Sequence, residues 1–198
     1  GTAGAESYKY GLLRLFFDLR KRRGVTLYES VNRMRIRNYY AAMMVKNGDA
    51  DALITGVTRK YSDSIKPSLQ IFKKEVGVKK AAGMYVILTK NGPLFLADIT
   101  INPDPSAQDL ADLAVLSYRT VMQFDILPKI ALLSHSNFGS SKHPEAIKVR
   151  EAVAILHRDH PEIIVDGEIQ GNFALNPSLL MEKFPFSKLG NSPANTLI

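Results

Sequence analysis

Residues 130–149 read IALLSHSNFGSSKHPEAIKV, and this stretch decides the fold more than any other part of the sequence. The apolar run 130–133 predicts a buried strand, and His-Pro-Glu at 143–145 predicts the start of a helix. The Gly/Ser-rich turn between them would bring free backbone N–H groups to the positive end of a helix dipole, an arrangement that attracts phosphate. An ordinary strand-to-helix connection with Ser141 as the N-cap fits the same residues.

The composition is that of an ordinary globular chain of 198 residues, with 45% hydrophobic and 23% charged residues. The lack of cysteine excludes a disulfide framework, a thiolate metal site and a cysteine nucleophile, and it fits a cytoplasmic location. No apolar run reaches the roughly 18 residues of a membrane span, so we expect no membrane partner. The four histidines lack metal-ligand spacing, and we expect no metal site.

Positive charge is concentrated in the first part of the chain. Residues 1–80 contain 17 Lys and Arg against seven Asp and Glu, whereas residues 81–198 contain nine against 12. Such an excess of positive charge is typical of a protein that binds nucleic acid, of one that binds an anionic metabolite, or of a solvated surface. The basic residues are dispersed over amphipathic helices and no nucleic-acid-binding motif is present, so a phosphate-bearing small ligand is favoured over nucleic acid.

Outward from residues 130–149, apolar periodicity alternates between helix and strand, which predicts an α/β fold with a mostly parallel sheet. Asn91-Gly92 between two apolar runs is a hairpin signal and predicts one antiparallel excursion. Pro67 is expected in the first turn of its helix. The predicted helices cover 8–22, 26–46, 64–74, 106–124, 144–158 and 178–183, and the predicted strands cover 52–55, 84–89, 94–99, 130–134, 163–166 and 195–198.

Three further blocks accompany the central stretch in a fixed order. They are LADITINPDPSAQDLADLA at 96–114, IIVDGEIQGNFALNP at 163–177 and GNSPANTLI at 190–198. Together the four blocks resemble the phosphate acetyltransferase/butyryltransferase family over essentially the whole chain. The variant SHSNFGSS most resembles the C-terminal phosphotransacetylase-like domain of bacterial NADP-dependent malic enzymes.

The resemblance implies a three-layer αβα fold of the isocitrate/isopropylmalate dehydrogenase type. It also implies two subdomains, 1–76 and 77–198, with a ligand cleft between them and a homodimer or higher oligomer formed through the second. Members of the family continue past the last predicted strand into a segment with a catalytic Ser-Arg pair and an Asp. The chain stops on the apolar residues 195–198, so we expect the first subdomain to be incomplete and this segment to be missing.

The resemblance also assigns a ligand site. By its pattern, acyl phosphate or CoA is bound by Arg20, Arg59, Lys66, Ser134, Asn137, Ser140 and Ser141. A guanidinium such as that of Arg20 grips phosphate oxygens as a fork, although a solvated basic helix end fits the same residue.

The segment 55–72 departs from the family pattern. Lys60 and Tyr61 stand where phosphotransacetylases have two hydroxyl residues, and Lys66 stands where they have a second Arg. Bulky side chains and a lysine point charge suit acetyl phosphate less well, which puts acetyl transfer in doubt and leaves a basic pocket for CoA phosphates.

Two further observations bear on the chemistry. Asp166-Gly167-Glu168 follows a predicted strand, where its two carboxylates could form an acid/base pair at the carboxyl edge of the sheet. Asp166 is therefore a cleft candidate, although a carboxylate that satisfies loop N–H groups fits this residue equally. The nucleotide-binding patterns GxGxxG and GxxxxGK[ST] do not occur, so no cofactor is expected in this segment.

The resulting functional hypothesis is a regulatory and oligomerisation domain of a malic enzyme that binds acetyl-CoA without transferring its acetyl group. NADP and a divalent metal would then belong to an N-terminal malic domain. An active phosphate acetyltransferase, acting on acetyl-CoA and phosphate, is the alternative, and a dimerisation domain without a ligand is the third class.

Overall fold

A computed structural model describes residues 2–74, 76, 78–98 and 100–198 of the chain. The protein forms two units, Gly1–Val78 and Lys79–Ile198. The boundary predicted after residue 76 falls two residues before this division. Among the described residues, no helix combines the length and the apolarity that crossing a membrane requires.

The first unit is built from helices. They are α1 Thr2–Arg20, α2 Leu27–Met34, α3 Arg37–Asn47 and α4 Tyr61–Ile71, with a 3₁₀ turn Lys21–Arg23 after α1. Phe16 of α1 packs with Tyr39 and Met43 of α3 in a core that is almost free of solvent. The start of α2 is a capping box, in which Thr26 Oγ1 accepts from Glu29 N–H while the Glu29 carboxylate accepts from Thr26 N–H.

The helix predicted at 26–46 is wrong as a single element. The chain leaves helical geometry at Ile36, whose φ of −87° and ψ of 118° are extended, and α3 starts at the next residue. This change of direction lets Met34 and Tyr39 enter the same core. Arg35 and Ile36 are neither Gly nor Pro, so the local sequence carries no signal for the break.

Two more predictions in the first unit are wrong. Residues 52–55 form no strand, since the described part of this unit contains no other strand with which they could pair. Pro67 lies in the interior of α4 rather than in its first turn, because the helix begins at Tyr61 instead of residue 64.

The second unit contains a five-stranded sheet in the order β1-β2-β5-β3-β4. Only β1 and β2 pair antiparallel, and the other neighbours are parallel. This confirms a mixed α/β fold with a mostly parallel sheet and one antiparallel hairpin. The strands are β1 Met84–Thr89, β2 Gly92–Ala97, β3 Lys129–Leu133, β4 Ile164–Ile169 and β5 Thr196–Leu197, and the helices are α5 Ala107–Met122, α6 Pro144–Asp159, α7 Gly171–Leu175 and α8 Pro177–Lys183.

Helices cover both faces of this sheet. Ile130 and Leu132 of β3 pack with α5 and α6, whereas Ala131 between them packs with α7 and α8. Side chains of a regular strand alternate in this way, which explains the continuous apolar run of β3. The dehydrogenase-like arrangement and a cleft between subdomains stay predictions.

The pairing of β3 with β4 contains a one-residue irregularity. Leu132 pairs with Gly167, but the next residue, Leu133, pairs with Ile169, so Glu168 is skipped. A skipped residue exchanges the two faces of a strand. Val165 and Ile169 accordingly belong to cores on opposite sides of the sheet, although they are four positions apart, a spacing that puts two residues of a regular strand on the same face.

Glycine is required at position 167 by both space and backbone conformation. Its φ is +149°, and a Cβ there would lie 2.5 Å from the carbonyl oxygen of Leu132. Substitution would therefore strain the backbone and push β3 away from β4 at the irregularity.

We expect Gly167→Ala to lower the free energy of unfolding by about 2–5 kcal/mol, as strained backbone and forced contacts each cost roughly 1–3 kcal/mol. Urea denaturation measures this change. The control is Gly171→Ala, at a position with ordinary φ and nothing within 4 Å of the added Cβ. Equal stabilities of the two variants would contradict the close approach at Gly167.

Candidate functional site

A buried carboxylate organises the loop formed by residues 134–141. Glu168, the residue skipped in β4, is fully buried. Its Oε1 accepts from Ser136 Oγ at 2.9 Å and from the Gly139 backbone N–H at 2.8 Å. Arg150 of α6 donates to both oxygens, through Nε to Oε2 at 2.9 Å and Nη2 to Oε1 at 3.0 Å. The charge is thus paired and hydrogen-bonded, as a buried carboxylate requires.

Further contacts tie the same loop to α6 and to the end of β4. Arg150 Nη2 donates to the carbonyl oxygen of Ser141 at 3.1 Å. Gln170 N–H donates to Asn137 Oδ1 at 2.8 Å, Asn137 Nδ2 donates back to Gln170 Oε1 at 3.2 Å, and Gln170 Nε2 donates to the His135 carbonyl at 2.8 Å. The loop is consequently held in one conformation by α6 and by the end of β4.

These contacts correct, for most of the loop, the expectation of free backbone N–H groups. Five of its N–H groups donate to acceptors of the protein itself, namely those of Ser134, Asn137, Phe138, Gly139 and Ser140. Ser140 is exposed and Ser134 and Ser141 are half-buried, and ligand contact by these three residues and by Asn137 stays a prediction.

The N-cap of α6 is His143, and the alternative with Ser141 in that role is wrong. His143 Nδ1 accepts from the Glu145 N–H at 3.4 Å. Ser141 Oγ instead accepts from the His143 N–H at 3.1 Å and lies 3.2 Å from His135 Nε2.

Asp166 has the environment of a structural carboxylate. It is buried, and it accepts from the Gly167 N–H at 2.9 Å, the Ser187 hydroxyl at 2.8 Å and the Lys188 N–H at 2.7 Å. These bonds correspond to the alternative in which Asp166 satisfies loop N–H groups, and they fasten residues 187–188 to β4.

The first unit contains a cavity of about 400 Å³ that combines polar and apolar walls. Ser64 of α4 is buried, and its Oγ has no hydrogen-bond partner among the described residues. Thr55 Oγ1 donates to Asn38 Oδ1 at 3.1 Å. The cavity is lined by Leu53, Thr55, Gly56, Val57, Arg59, Tyr61, Ser64, Ile65 and Ser68.

Backbone strain accompanies this cavity. Val57 on its wall has a φ of +61°, and Gly56 before it has a φ of +124°. A β-branched residue rarely adopts positive φ, and such strain clusters at ligand-binding loops. Phe138, with a φ of +44°, places a second strained residue in the loop of residues 134–141.

The predicted cations occupy different positions in the first unit. Arg59 lines the cavity, whereas Lys66 is exposed on α4 and is not a lining residue. Arg20 donates through Nη1 to the Gln70 carbonyl at 3.5 Å, and its buried Nε has no partner among the described residues. The structure therefore brings Arg59, but not Arg20 or Lys66, to the cavity wall. Ligand binding by all three stays a prediction.

Sequence reasoning missed Arg150 and Gln170, and it missed the loop-organising contacts of Glu168. Glu168, Arg150 and Gln170 act across 18 to 35 positions of sequence, for which periodicity gives no signal. The sequence suggested Glu168 only as half of an acid/base pair with Asp166, whereas both carboxylates are buried and accept hydrogen bonds from the protein itself. Ser64 carried no signal, because only burial without a partner sets it apart.

The pKa of Glu168 reflects two opposed effects. Burial raises the pKa of its carboxyl, but the hydrogen bonds from Arg150, Gly139 and Ser136 lower it more, so the net shift is downward from the ordinary value of 4.5. Glu168 is consequently ionised near neutral pH, as its pairing with Arg150 requires. No group of three or more acidic, His or Cys residues suited to a metal ion occurs among the described residues.

Comparison with known proteins identifies relatives of two kinds. The family description "Phosphate acetyl/butaryl transferase" matches residues 5–198. The NADP-dependent malic enzyme of Escherichia coli (strain K12) is 38% identical over 185 residues, which are 92% of this chain and 24% of that protein. The phosphate acetyltransferase of Bacillus subtilis (strain 168) is 40% identical over 152 residues, which are 77% of this chain and 47% of that protein.

Solved structures give the same result for the fold. A phosphotransacetylase from Streptococcus pyogenes superimposes with a TM-score of 0.81 at 37% identity, covering 95% of this chain and 57% of that one. The chain thus spans about half the length of these phosphotransacetylases and about a quarter of the malic enzyme.

The buried pair predicts a pH dependence of stability. The pKa of Glu168 is lower in the folded protein than its ordinary value of 4.5. The ionised carboxylate therefore stabilises the fold fully above about pH 4.5, and this stabilisation is lost as the pH falls through the pKa of the folded state. We expect Glu168→Gln to cost roughly 1–3 kcal/mol at pH 7 and progressively less below pH 4.5, measured by urea denaturation across that range.

The control for this measurement is Glu151→Gln, which removes an exposed carboxylate from the same helix as Arg150. Its effect should stay within about 0.5 kcal/mol at every pH. A constant difference between wild type and Glu168→Gln from pH 7 to pH 3 would contradict an ionised Glu168.

Proposed function

The chain belongs to the phosphate acetyl/butaryl transferase family, and from that premise we propose that it is the phosphotransacetylase-like domain of an NADP-dependent malic enzyme. In this proposal it binds acetyl-CoA without transferring the acetyl group and serves regulation and homodimer formation. The whole enzyme would oxidatively decarboxylate malate to pyruvate, with NADP and a divalent metal in an N-terminal domain. Similarity to a malic enzyme over 92% of the chain supports this assignment.

The observation that carries the binding proposal is the cavity of the first unit. Its wall holds the Arg59 guanidinium and the unpartnered hydroxyl of Ser64 next to the apolar side chains of Leu53 and Ile65. A buried hydroxyl without a partner costs free energy unless a ligand or water satisfies it. A guanidinium suits phosphate and apolar walls suit an acyl or alkyl group, so the lining fits an acyl-CoA.

The residues that replace the family pattern support binding without acetyl transfer. Tyr61 contributes to the cavity wall, and Lys60 is the N-cap of α4. By resemblance, these two bulky residues stand where phosphotransacetylases have small hydroxyl residues. Regulation would further require that acetyl-CoA bind two states of the enzyme with different affinity.

An active phosphate acetyltransferase is the second candidate, in which acetyl-CoA and phosphate give acetyl phosphate and CoA. It is favoured by the 40% identity to the Bacillus subtilis enzyme and by the superposition on a phosphotransacetylase at a TM-score of 0.81. The third class, a dimerisation domain without a ligand, does not explain why the buried Ser64 hydroxyl has no hydrogen-bond partner among the described residues.

We expect the full-length protein to form negligible acetyl-CoA from acetyl phosphate and CoA, because Lys60, Tyr61 and Lys66 replace the residues that hold acetyl phosphate in the family. A spectrophotometric assay of thioester formation measures this. Turnover in the ordinary range of about 1–1000 per second would instead establish the acetyltransferase alternative.

Two substitutions in the cavity test ligand binding. Arg59→Ala should weaken acetyl-CoA binding by about 1–3 kcal/mol, roughly 5- to 150-fold in Kd, through loss of a charge-assisted phosphate contact. Ser64→Ala should weaken binding by about 0.5–1.5 kcal/mol without lowering stability, since its hydroxyl makes no bond in the free protein. Calorimetric titration and thermal melting give the two quantities.

The matched control is Arg22→Ala, an exposed cation of the 3₁₀ turn in the same unit. It should leave both the affinity and the melting temperature unchanged. Absence of any heat or thermal shift with wild-type protein at millimolar acetyl-CoA would leave the ligand-free dimerisation domain as the function.

A further inference from the structure

We propose that Glu168 is a positioning residue, which holds the loop of residues 134–141 in the one shape that accepts the ligand. The inference rests on the proposed function for its ligand, acetyl-CoA, and on the family resemblance for the contact of this loop's hydroxyls with that ligand. Glu168 itself is fully buried and acts only through the groups bonded to it.

The contacts of Glu168 are distributed along the loop. One oxygen accepts from Ser136 near the start of the loop and from the Gly139 N–H in its middle. The end of the loop is reached through Arg150, whose Nη2 donates both to Glu168 and to the Ser141 carbonyl. A single carboxylate therefore fixes three separate points of an eight-residue segment.

The backbone of the loop needs such fixing. Phe138 has a φ of +44°, a conformation that side chains with a Cβ adopt only where surrounding contacts impose it. Both neighbours of Phe138 are held by hydrogen bonds. The Gly139 N–H donates to the Glu168 carboxylate, and Asn137 Nδ2 donates to Gln170 Oε1. Without Glu168 the loop would relax towards less strained conformations, and its hydroxyls would lose their fixed positions.

The outward groups of the loop are arranged for donation. Ser140 is exposed, and its Oγ accepts from the Asn137 N–H at 3.0 Å, so its hydroxyl hydrogen is available to an oxygen of a ligand. A site whose donors are placed before binding gains affinity, because less ordering is required when the ligand arrives. The consequence of a looser loop should appear in affinity and not only in stability.

The strand itself offers a matched control. Two buried serines each donate one hydrogen bond to a buried carboxylate of β4, Ser136 to Glu168 at 2.9 Å and Ser187 to Asp166 at 2.8 Å. Ser187 lies outside residues 134–141 and is bonded to none of them in the described structure. Replacing either serine by Ala removes the same chemical group from a similar environment.

The experiment compares Glu168→Gln, Ser136→Ala and Ser187→Ala in the full chain, by calorimetric titration with acetyl-CoA and by amide hydrogen exchange. Glu168→Gln should raise Kd at least about tenfold, and Ser136→Ala about threefold, through loss of hydrogen bonds that order the loop. The amides of Phe138 and Gly139 should exchange about tenfold faster in Glu168→Gln. Ser187→Ala should lower the melting temperature as Ser136→Ala does and keep Kd within about twofold of wild type.

The outcomes separate the two proposals. If wild type binds acetyl-CoA and Glu168→Gln binds it equally well, the positioning role is overturned while the proposed function stands. If Ser187→Ala weakens binding as much as Ser136→Ala, the effect is one of general stability and the positioning role is again overturned. A wild-type chain without acetyl-CoA binding overturns the proposed function and this inference with it. Should Glu168→Gln not fold, the comparison of the two serine variants decides the matter.

Discussion

The carboxylate of Glu168 lies entirely out of water, and a charge in that position persists only if hydrogen bonds and an opposite charge replace its hydration. Arg150 supplies the charge, with a side chain that keeps 42% of its surface in solvent. The arginine therefore loses less hydration than the glutamate, which favours the pair. Because Arg150 lies on α6 and Glu168 on β4, this one interaction also joins the helix that follows the candidate loop to the strand that pairs with β3 before it.

The irregularity of β4 makes this interaction possible. Because Glu168 has no partner in β3, its side chain does not take part in the alternation of side chains between the two faces of the sheet. Val165 before it and Ile169 after it therefore pack into cores on opposite faces. Only glycine at position 167 allows the approach of the Leu132 carbonyl at this point. The motif Asp-Gly-Glu thus has three separate structural tasks, in which Asp166 fastens one segment, Gly167 admits the neighbouring strand and Glu168 organises the loop.

Local signals explain what could be predicted from the sequence. The hairpin of β1 and β2 follows from Asn91-Gly92, and the starts of α2 and α5 follow from capping boxes at Thr26 and Ser106. Each depends on residues within a few positions of one another. The parallel sheet follows from the buried apolar runs, since β3 is covered on both faces.

The failures have the opposite origin. The break at Ile36 is set by packing of Met34 and Tyr39 into a common core, which no local residue announces. The strand expected at 52–55 had apolar residues but no partner strand in the described part of its unit. The loop of residues 134–141 looked like a source of free N–H donors because the sequence does not show that Glu168 and its neighbours already accept from them.

Each of the two units contains candidate ligand-binding groups of its own. The first contributes the Arg59 guanidinium, the unpartnered Ser64 hydroxyl and an apolar wall, in the part of the chain where basic residues predominate. The second contributes a preformed loop with outward hydroxyls. An acyl-CoA, with several phosphates and an apolar arm, is the class of ligand that suits the guanidinium and the apolar wall of the first unit's cavity.

The most direct test of this account is an NMR titration of isotopically labelled protein with acetyl-CoA, in which backbone amide shifts report where the ligand binds. We expect the largest and saturable shifts at residues 53–68, which surround the cavity of the first unit, with little change in α5. Shifts confined to other parts of the chain, or none at millimolar ligand, would contradict the proposed acyl-CoA site.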